Sequence, residues 1–169
     1  KRMKLGLGIG PMGLPDGERI ITLAKEAENL GYDTIWCPEI YGMDCFTPLA
    51  WIGAHTSRIN LGTSIMQMPA RKPAMTAMTA MTLDALSGGR FILGLGSQIK
   101  PHIEKRFSQT WSKPVARMRE FVEAIRAIWR CWYEGERLEF RGQFYTHTIM
   151  TPFFNPGPNA FGAPRIFLA

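Results

Sequence analysis

Residues 58–98, RINLGTSIMQMPARKPAMTAMTAMTLDALSGGRFILGLGSQ, constrain the fold more than any other stretch, because they set two short apolar runs around a helix with its own start and stop signals. The runs at 59–66 and 91–95 are too brief for helices and are bounded by turn residues. The second ends on glycines followed by Ser97 and Gln98, so both runs read as strands covered on two faces. Lys72 and Pro73 open the helix, since proline is tolerated in a first turn. Gly88 and Gly89 close it where a left-handed cap is wanted. The product is a βαβ unit.

The same punctuation recurs along the chain. Residues 4–9 read as a first strand, ended by Gly10, Pro11 and Gly13. Asp16 is placed to cap a helix whose apolar positions Ile20, Leu23, Ala24, Ala27 and Leu30 recur at three and four, the period of one buried face. Gly31 stops that helix, and Asp33 leads into a strand over 34–37 that Pro38 ends just before Glu39. Thr47 and Pro48 then read as the cap and first turn of a helix carrying Leu49, Ile52 and His55. Strand openings near Lys4, Asp33, Arg58 and Arg90 recur at the spacing of βα units and predict a parallel sheet with helices outside it.

Three of these segments carry a family likeness. LGYDTIW at 30–36, LGTSIMQMP at 61–69 and LSGGRFILGLGS at 86–97, followed by the helical segment 112–133, resemble the bacterial-luciferase-like superfamily of flavin- and deazaflavin-dependent oxidoreductases. The resemblance implies an α/β fold of the TIM (β/α)8-barrel type. Such a barrel takes about 250 residues. With 169 residues, the chain is expected to supply roughly the first half, as a single partial barrel domain over 1–169 with the remaining strands absent.

Beyond the fourth strand, IKPHIEKRFSQTW at 99–111 reads as a charged and aromatic loop, in the position where barrel enzymes vary their substrate contacts. Ser112 and Pro114 open an amphipathic helix with Val115, Met118, Phe121, Val122, Ile125, Ile128, Trp129 and Trp132 on the buried face and Arg117, Glu120, Glu123 and Arg130 off it. RLEFRGQFYTH at 137–147 reads as a hairpin with Gly142 at its turn, and 164–169 as the start of a fifth barrel strand. An open parallel sheet would leave an apolar edge, so closure is expected from further strands or from another chain.

Composition excludes several classes. Glycines, prolines and charges interrupt every apolar run before it reaches bilayer length, and the basic start KRMKLGLGIGPMG lacks the unbroken apolar region and cleavage site of a secretory signal. The net charge of +6 is scattered over helices and turns without a binding motif, so no nucleic-acid partner is expected. The three cysteines, Cys37, Cys45 and Cys131, match neither a zinc site nor a disulfide framework and point to reduced thiols in a cytoplasm. No His, Cys and carboxylate cluster has metal-ligand spacing. The three-residue repeat AMTAMTAMT at 74–82 places Met75, Met78 and Met81 in buried packing rather than in a cofactor-facing stripe. The family resemblance implies that helices here form a homo-oligomer interface, so an Ala77→Arg, Ala80→Arg double variant is expected to disrupt the oligomer.

The site residues follow from the rule that barrel active sites lie at the carboxyl ends of the strands. Glu39 directly follows the second strand and is either a proton donor touching cofactor or substrate, or an ordinary surface carboxylate. The resemblance implies an acid here, but sugar-oxidising deazaflavin relatives follow theirs with a histidine where this chain has Ile40. Ile99 also stands where those relatives place a second acid, which argues against sugar-phosphate oxidation. The resemblance further implies a non-proline cis peptide at Ser64–Ile65 supporting the ring of a bound cofactor, with Met66 and Gln67 beside it. Gly96, with Gly94 two residues before it, marks either close approach of a cofactor or tight strand packing, and Ser97 and Gln98 offer donors to a phosphate or ribityl group. His102 is the histidine nearest the expected mouth and a candidate general acid or base. The expected cofactor is the deazaflavin coenzyme F-420, with FMN as the alternative, and the expected partner a small-molecule substrate. A catalytically silent, self-associating half-barrel is the rival reading.

Overall fold

The computed structural model describes residues 3–10, 14 and 16–169. Pro11 and Gly13, expected to end the first strand, lie outside the described residues. The chain divides into two compact units, one of residues 1–66, 82–96 and 164–169, the other of residues 67–81 and 97–163.

The first unit is built on a parallel sheet. Strands β1 (Gly6–Gly8), β2 (Thr34–Cys37) and β3 (Asn60–Thr63) run side by side, with Gly6 opposite Thr34 and Thr34 opposite Asn60. A two-residue strand, β4 (Met66–Gln67), continues the chain after β3. The fully buried β5 (Phe91–Gly96) pairs with β3 and, on its other side, with β8 (Arg165–Leu168). The segment 164–169 is therefore a parallel barrel-type strand, as expected. The strand predicted over 59–66 is not continuous: it breaks between β3 and β4 at Ser64 and Ile65, which are joined by a cis peptide.

Helices α1 (Gly17–Asn29) and α2 (Phe46–His55) belong to this unit. Asp16 caps α1 as expected, its carboxylate accepting from the Glu18 and Arg19 amides at 3.0 and 3.1 Å. The buried face of α1 is narrower than its period implied: Ala24 and Ala27 are buried, but Leu23 and Leu30 are exposed. The start of α2 also differs from expectation. Helix α2 begins at Phe46, and Asp44 rather than Thr47 accepts from the first amides, those of Phe46 and Thr47, each at 2.9 Å. Carboxylate and hydroxyl are both capping groups, and the chain path presents the one three residues earlier.

Two side chains tie the loops at the amino ends of the strands. Arg90 donates through its guanidinium to the carbonyls of Gly53, Thr56, Ile59 and Ser87 and to the Thr56 hydroxyl, at 2.6 to 3.0 Å. Glu28 accepts from three consecutive amides, Ser57, Arg58 and Ile59. Backbone groups that enter no ladder thereby find partners.

Helix α3 (Pro73–Ser87) starts at the predicted proline and ends at Gly88 and Gly89, whose φ angles of 72° and 78° are left-handed. Its packing reverses the expectation for the methionine repeat. Met81 is buried, but Met75 and Met78 are 53% and 51% exposed, whereas Ala77 and Ala80 are fully covered. Within the second unit the Ala77 carbonyl accepts from Trp129 Nε1 at 3.2 Å, which places a large ring against the small residue. Arginine at 77 or 80 would therefore damage the interior of the chain and would not report on an oligomer interface.

The second unit holds α4 (Lys100–Lys105), α5 (Pro114–Glu134) and an antiparallel hairpin of β6 (Phe140–Arg141) and β7 (Thr146–His147). The predicted loop over 99–111 thus contains a short helix, too brief to leave a periodic signature. On α5 the expected apolar face holds from Phe121 to Trp132, but Val115 is 76% exposed. Glu120, expected off that face, is buried and accepts from the Gln143, Phe144 and Tyr145 amides at 2.9, 2.6 and 2.7 Å. Cys37, Cys45 and Cys131 are all buried and none forms a disulfide. Among the described residues no helix is long and apolar enough to cross a membrane.

The Glu28 clamp makes stability depend on pH. Burial raises the carboxyl's affinity for a proton, but the Ile59, Arg58 and Ser57 amides and the Arg58 charge outweigh it and hold the group below its ordinary value of 4.5. A depressed carboxyl contributes its full stabilisation above the unfolded-state value and loses it as pH falls through the folded-state value. Urea midpoints of the parent chain should therefore fall more steeply below pH 4.5 than those of Glu28→Gln; parallel acid limbs would contradict the assignment.

Candidate functional site

In the first unit the carboxyl ends of β2, β3 and β5 bring together several of the predicted residues. Glu39 follows β2 and is buried, with a relative exposure of 9%. Its amide donates to the Ile65 carbonyl at 3.2 Å, and the Ser64 amide donates to the Cys37 carbonyl at 2.8 Å. The tip of β2 is thereby stitched to both residues of the cis peptide. The Ser64 side chain is exposed, Ile65 is half-buried and Met66 is fully buried.

The glycines of β5 answer to these same neighbours. A Cβ added at Gly94 would run into the Thr63 carbonyl oxygen, and one added at Gly96 would run into the Ile65 side chain. Thr63 and Gly94 also exchange hydrogen bonds: the Thr63 hydroxyl donates to the Gly94 carbonyl, and the Gly94 amide donates to the Thr63 hydroxyl oxygen, each at 2.8 Å. Gly96 thus packs tightly against Ile65, which is one of the two readings open for it. Cys37 lies on this tip as well, and burial, helped by the Asp44 and Glu39 charges, pushes its thiol up to about 12, so it is no nucleophile near neutral pH.

In the second unit Gln67 is buried, and Gln98 and His102 meet each other. Gln98 has a left-handed φ of 60°. Its Oε1 accepts from the Ile99 amide at 3.0 Å and lies 3.1 Å from His102 Nδ1. An amide oxygen only accepts, so this contact places the imidazole proton on Nδ1 and leaves Nε2 as the acceptor of the neutral ring. Ser97, half-buried, lines a cleft of about 50 Å³ whose walls come from the segment just before α3, the segment 109–112, the start of α5 and the β6–β7 hairpin. Arg71, Lys72, Arg117 and Tyr145 also line that cleft, and none of them was singled out as a site residue from the sequence. Their common signal, basic and hydroxyl side chains near helix starts, is spread over three separate segments. Among the described residues no group of three or more His, Cys, Asp or Glu could hold a metal ion.

The family model described as luciferase-like monooxygenase matches residues 3–169. The chain belongs to this family. Among its relatives, an uncharacterized protein of Mycobacterium tuberculosis is 50% identical over 151 residues, covering 89% of this chain and 44% of that protein. A second Mycobacterium tuberculosis protein, named as a coenzyme F-420-dependent oxidoreductase, is 46% identical over 127 residues, covering 75% of this chain and 37% of its own length. Among solved structures, the monooxygenase RslO1 from Streptomyces bottropensis matches with a TM-score of 0.83 at 27% identity, covering 98% of this chain and 53% of that one. This luciferase-like chain thus spans about half the length, or less, of the proteins it matches. The partial barrel expected from the sequence is the fold found.

The β5 contacts predict that Gly94→Ala lowers the free energy of unfolding by about 3 kcal/mol or more, since a methyl has no room against the Thr63 carbonyl. A urea titration with an unchanged midpoint would contradict this.

Proposed function

We propose that this luciferase-like chain belongs to an oxidoreductase that exchanges a hydride between the deazaflavin coenzyme F-420 and a small organic substrate. The observation that carries the reading is the 46% identity to the relative named for coenzyme F-420. The residues present fit such a group. Ser64 is exposed at a strand tip, Ser97 and Gln98 are half-buried polar groups after β5, and no acidic side chain is among the described residues of the cleft that contains Ser97. A phosphate-bearing molecule would meet no like charge there.

When bound, a deazaflavin supplies a ring carbon that accepts or releases a hydride. The chain's own part is to hold that ring and to manage protons. Ser64, Ile65, Met66 and Gln67 would back the ring, and Gly96, Ser97 and Gln98 would bound its polar side chain. Glu39 would hold or deliver a proton at its carboxyl. His102 would accept one at Nε2, the nitrogen left available by the Gln98 contact. We place this chemistry in the cytoplasm, in keeping with three buried thiols that form no disulfide.

The likeness to the monooxygenase RslO1 favours a second reading, a monooxygenase, with FMN as its expected cofactor from the family resemblance. Absorbance titrations separate the two. A saturable difference spectrum with coenzyme F-420 is expected, whereas binding of FMN alone would overturn the first reading in favour of the second. Binding of neither would favour a catalytically silent assembly.

We also propose self-association along α3, through the exposed Met75, Met78 and Leu86 rather than through the covered alanines. A Met78→Arg, Leu86→Arg double variant should sediment as a smaller species than the parent chain; an unchanged profile would refute this interface.

A further inference from the structure

We propose that the β6–β7 hairpin is an acid-released flap on α5, held down while the His147 imidazole is neutral and lifted when that ring takes a proton. The proposal does not depend on the redox reading, because it stands on the hairpin's own contacts.

The hairpin is too small to hold itself in place. Each of its strands has two residues, and an isolated two-stranded ribbon is marginal in water. Its anchorage is α5, and the polar contacts gather at the turn. The Glu120 carboxylate accepts from the Gln143, Phe144 and Tyr145 amides, and the Arg117 guanidinium carbon lies 4.3 Å from the centre of the Phe144 ring. The Phe121 and Tyr145 rings meet edge to face at 5.7 Å. Gly142 closes so tightly on Glu120 that a Cβ there would run into the carboxylate. Tyr145 also lines the cleft beside Ser97, so lifting the flap would remove part of that wall.

Just beyond the turn, β7 lies against α5 without such fastening. The His147 ring is 6.5 Å from that of Phe140, and its Nε2 is buried with no hydrogen-bond partner. A neutral imidazole tolerates this enclosure better than an imidazolium, because a buried charge needs a partner. The neighbouring elements offer none. On α5, Glu120 is engaged by three amides, Arg117 is itself a cation, and Arg119, Glu123, Arg126, Arg130 and Glu134 are exposed. Beside β6, Glu139 pairs with Arg137 and Arg141, and β7 carries no other titratable residue. Burial accordingly holds His147 below its ordinary value of 6.5. A histidine depressed in the closed state contributes its full hold above 6.5 and loses it as pH falls from there through the closed-state value.

The test is amide hydrogen exchange on the 169-residue chain at pH 7.5 and pH 5.5, read as protection factors so that the intrinsic pH dependence of exchange cancels. Both conditions lie above the ordinary carboxylate range. Protection of the Gln143, Phe144 and Tyr145 amides is expected to fall severalfold at pH 5.5, with about tenfold as the limit for one titrating histidine. The Ile125 and Ile128 amides within α5 should keep theirs. In His147→Phe and His147→Gln, which carry no titrating ring, the hairpin amides should stay protected at both pH values. The glutamine variant keeps the test standing if the phenyl ring disturbs folding. A fall of the same size in the variants would assign the release to another group, Glu120 first, and overturn the proposal. Equal loss at Ile125 and Ile128 would report unfolding of the helix and overturn it as well, as would hairpin protection indifferent to pH in the parent chain.

Discussion

The guanidinium of Arg90 is the contact on which the sheet unit most depends. It collects four carbonyl oxygens and one hydroxyl from the end of α2, the turn into β3 and the end of α3. These carbonyls lie in the last turns of helices or just beyond them, before the strands begin, so neither kind of regular structure supplies their donors. Hydrogen bonds from a charged donor contribute about 1.5–3 kcal/mol each when well formed, and a planar five-donor group can satisfy a whole junction at once. A lysine, with one compact ammonium, has no equivalent geometry.

Glu28 and Glu120 do the complementary work for amides. Each presents a carboxylate to three successive N–H groups, Glu28 to the turn before β3 and Glu120 to the hairpin turn before β7. The same device therefore appears once in each compact unit. In both, a helix carries the charge and an irregular segment receives it, so the loop's shape is set by a side chain some 23 to 31 positions away in sequence. The positive junction at Arg90 and these negative ones explain how short connections keep their buried backbone groups paired.

Much of this architecture was legible because its signals are local. Asp16, Gly31, Gly88, Gly89 and Pro73 act within a turn of where they stand, and the structure bears each of them out. The strands were legible as short apolar runs between such marks. What was not legible depended on distant partners. Glu120 falls beside the apolar face of α5, and only the hairpin amides, more than twenty residues on, make its burial favourable. The repeat in α3 offers a methionine face and an alanine face of similar hydrophobicity, and Trp129 decides between them by lying against Ala77. At the candidate site, Glu39, Ser64 and Gly96 were placed by the pattern of strand ends. The basic cleft was not, since Arg71, Arg117 and Tyr145 belong to three segments that no sequence period connects.

The state of the cysteines carries a practical consequence for anyone wishing to label this molecule. Cys37 and Cys45 are fully enclosed, Cys131 is nearly so, and Cys37 holds its proton far above neutrality. Maleimide chemistry needs an accessible thiolate, so the native sulfurs form a silent background. A single cysteine introduced at the exposed surface would then accept a dye at one known position, with no need to strip the interior of its own thiols first.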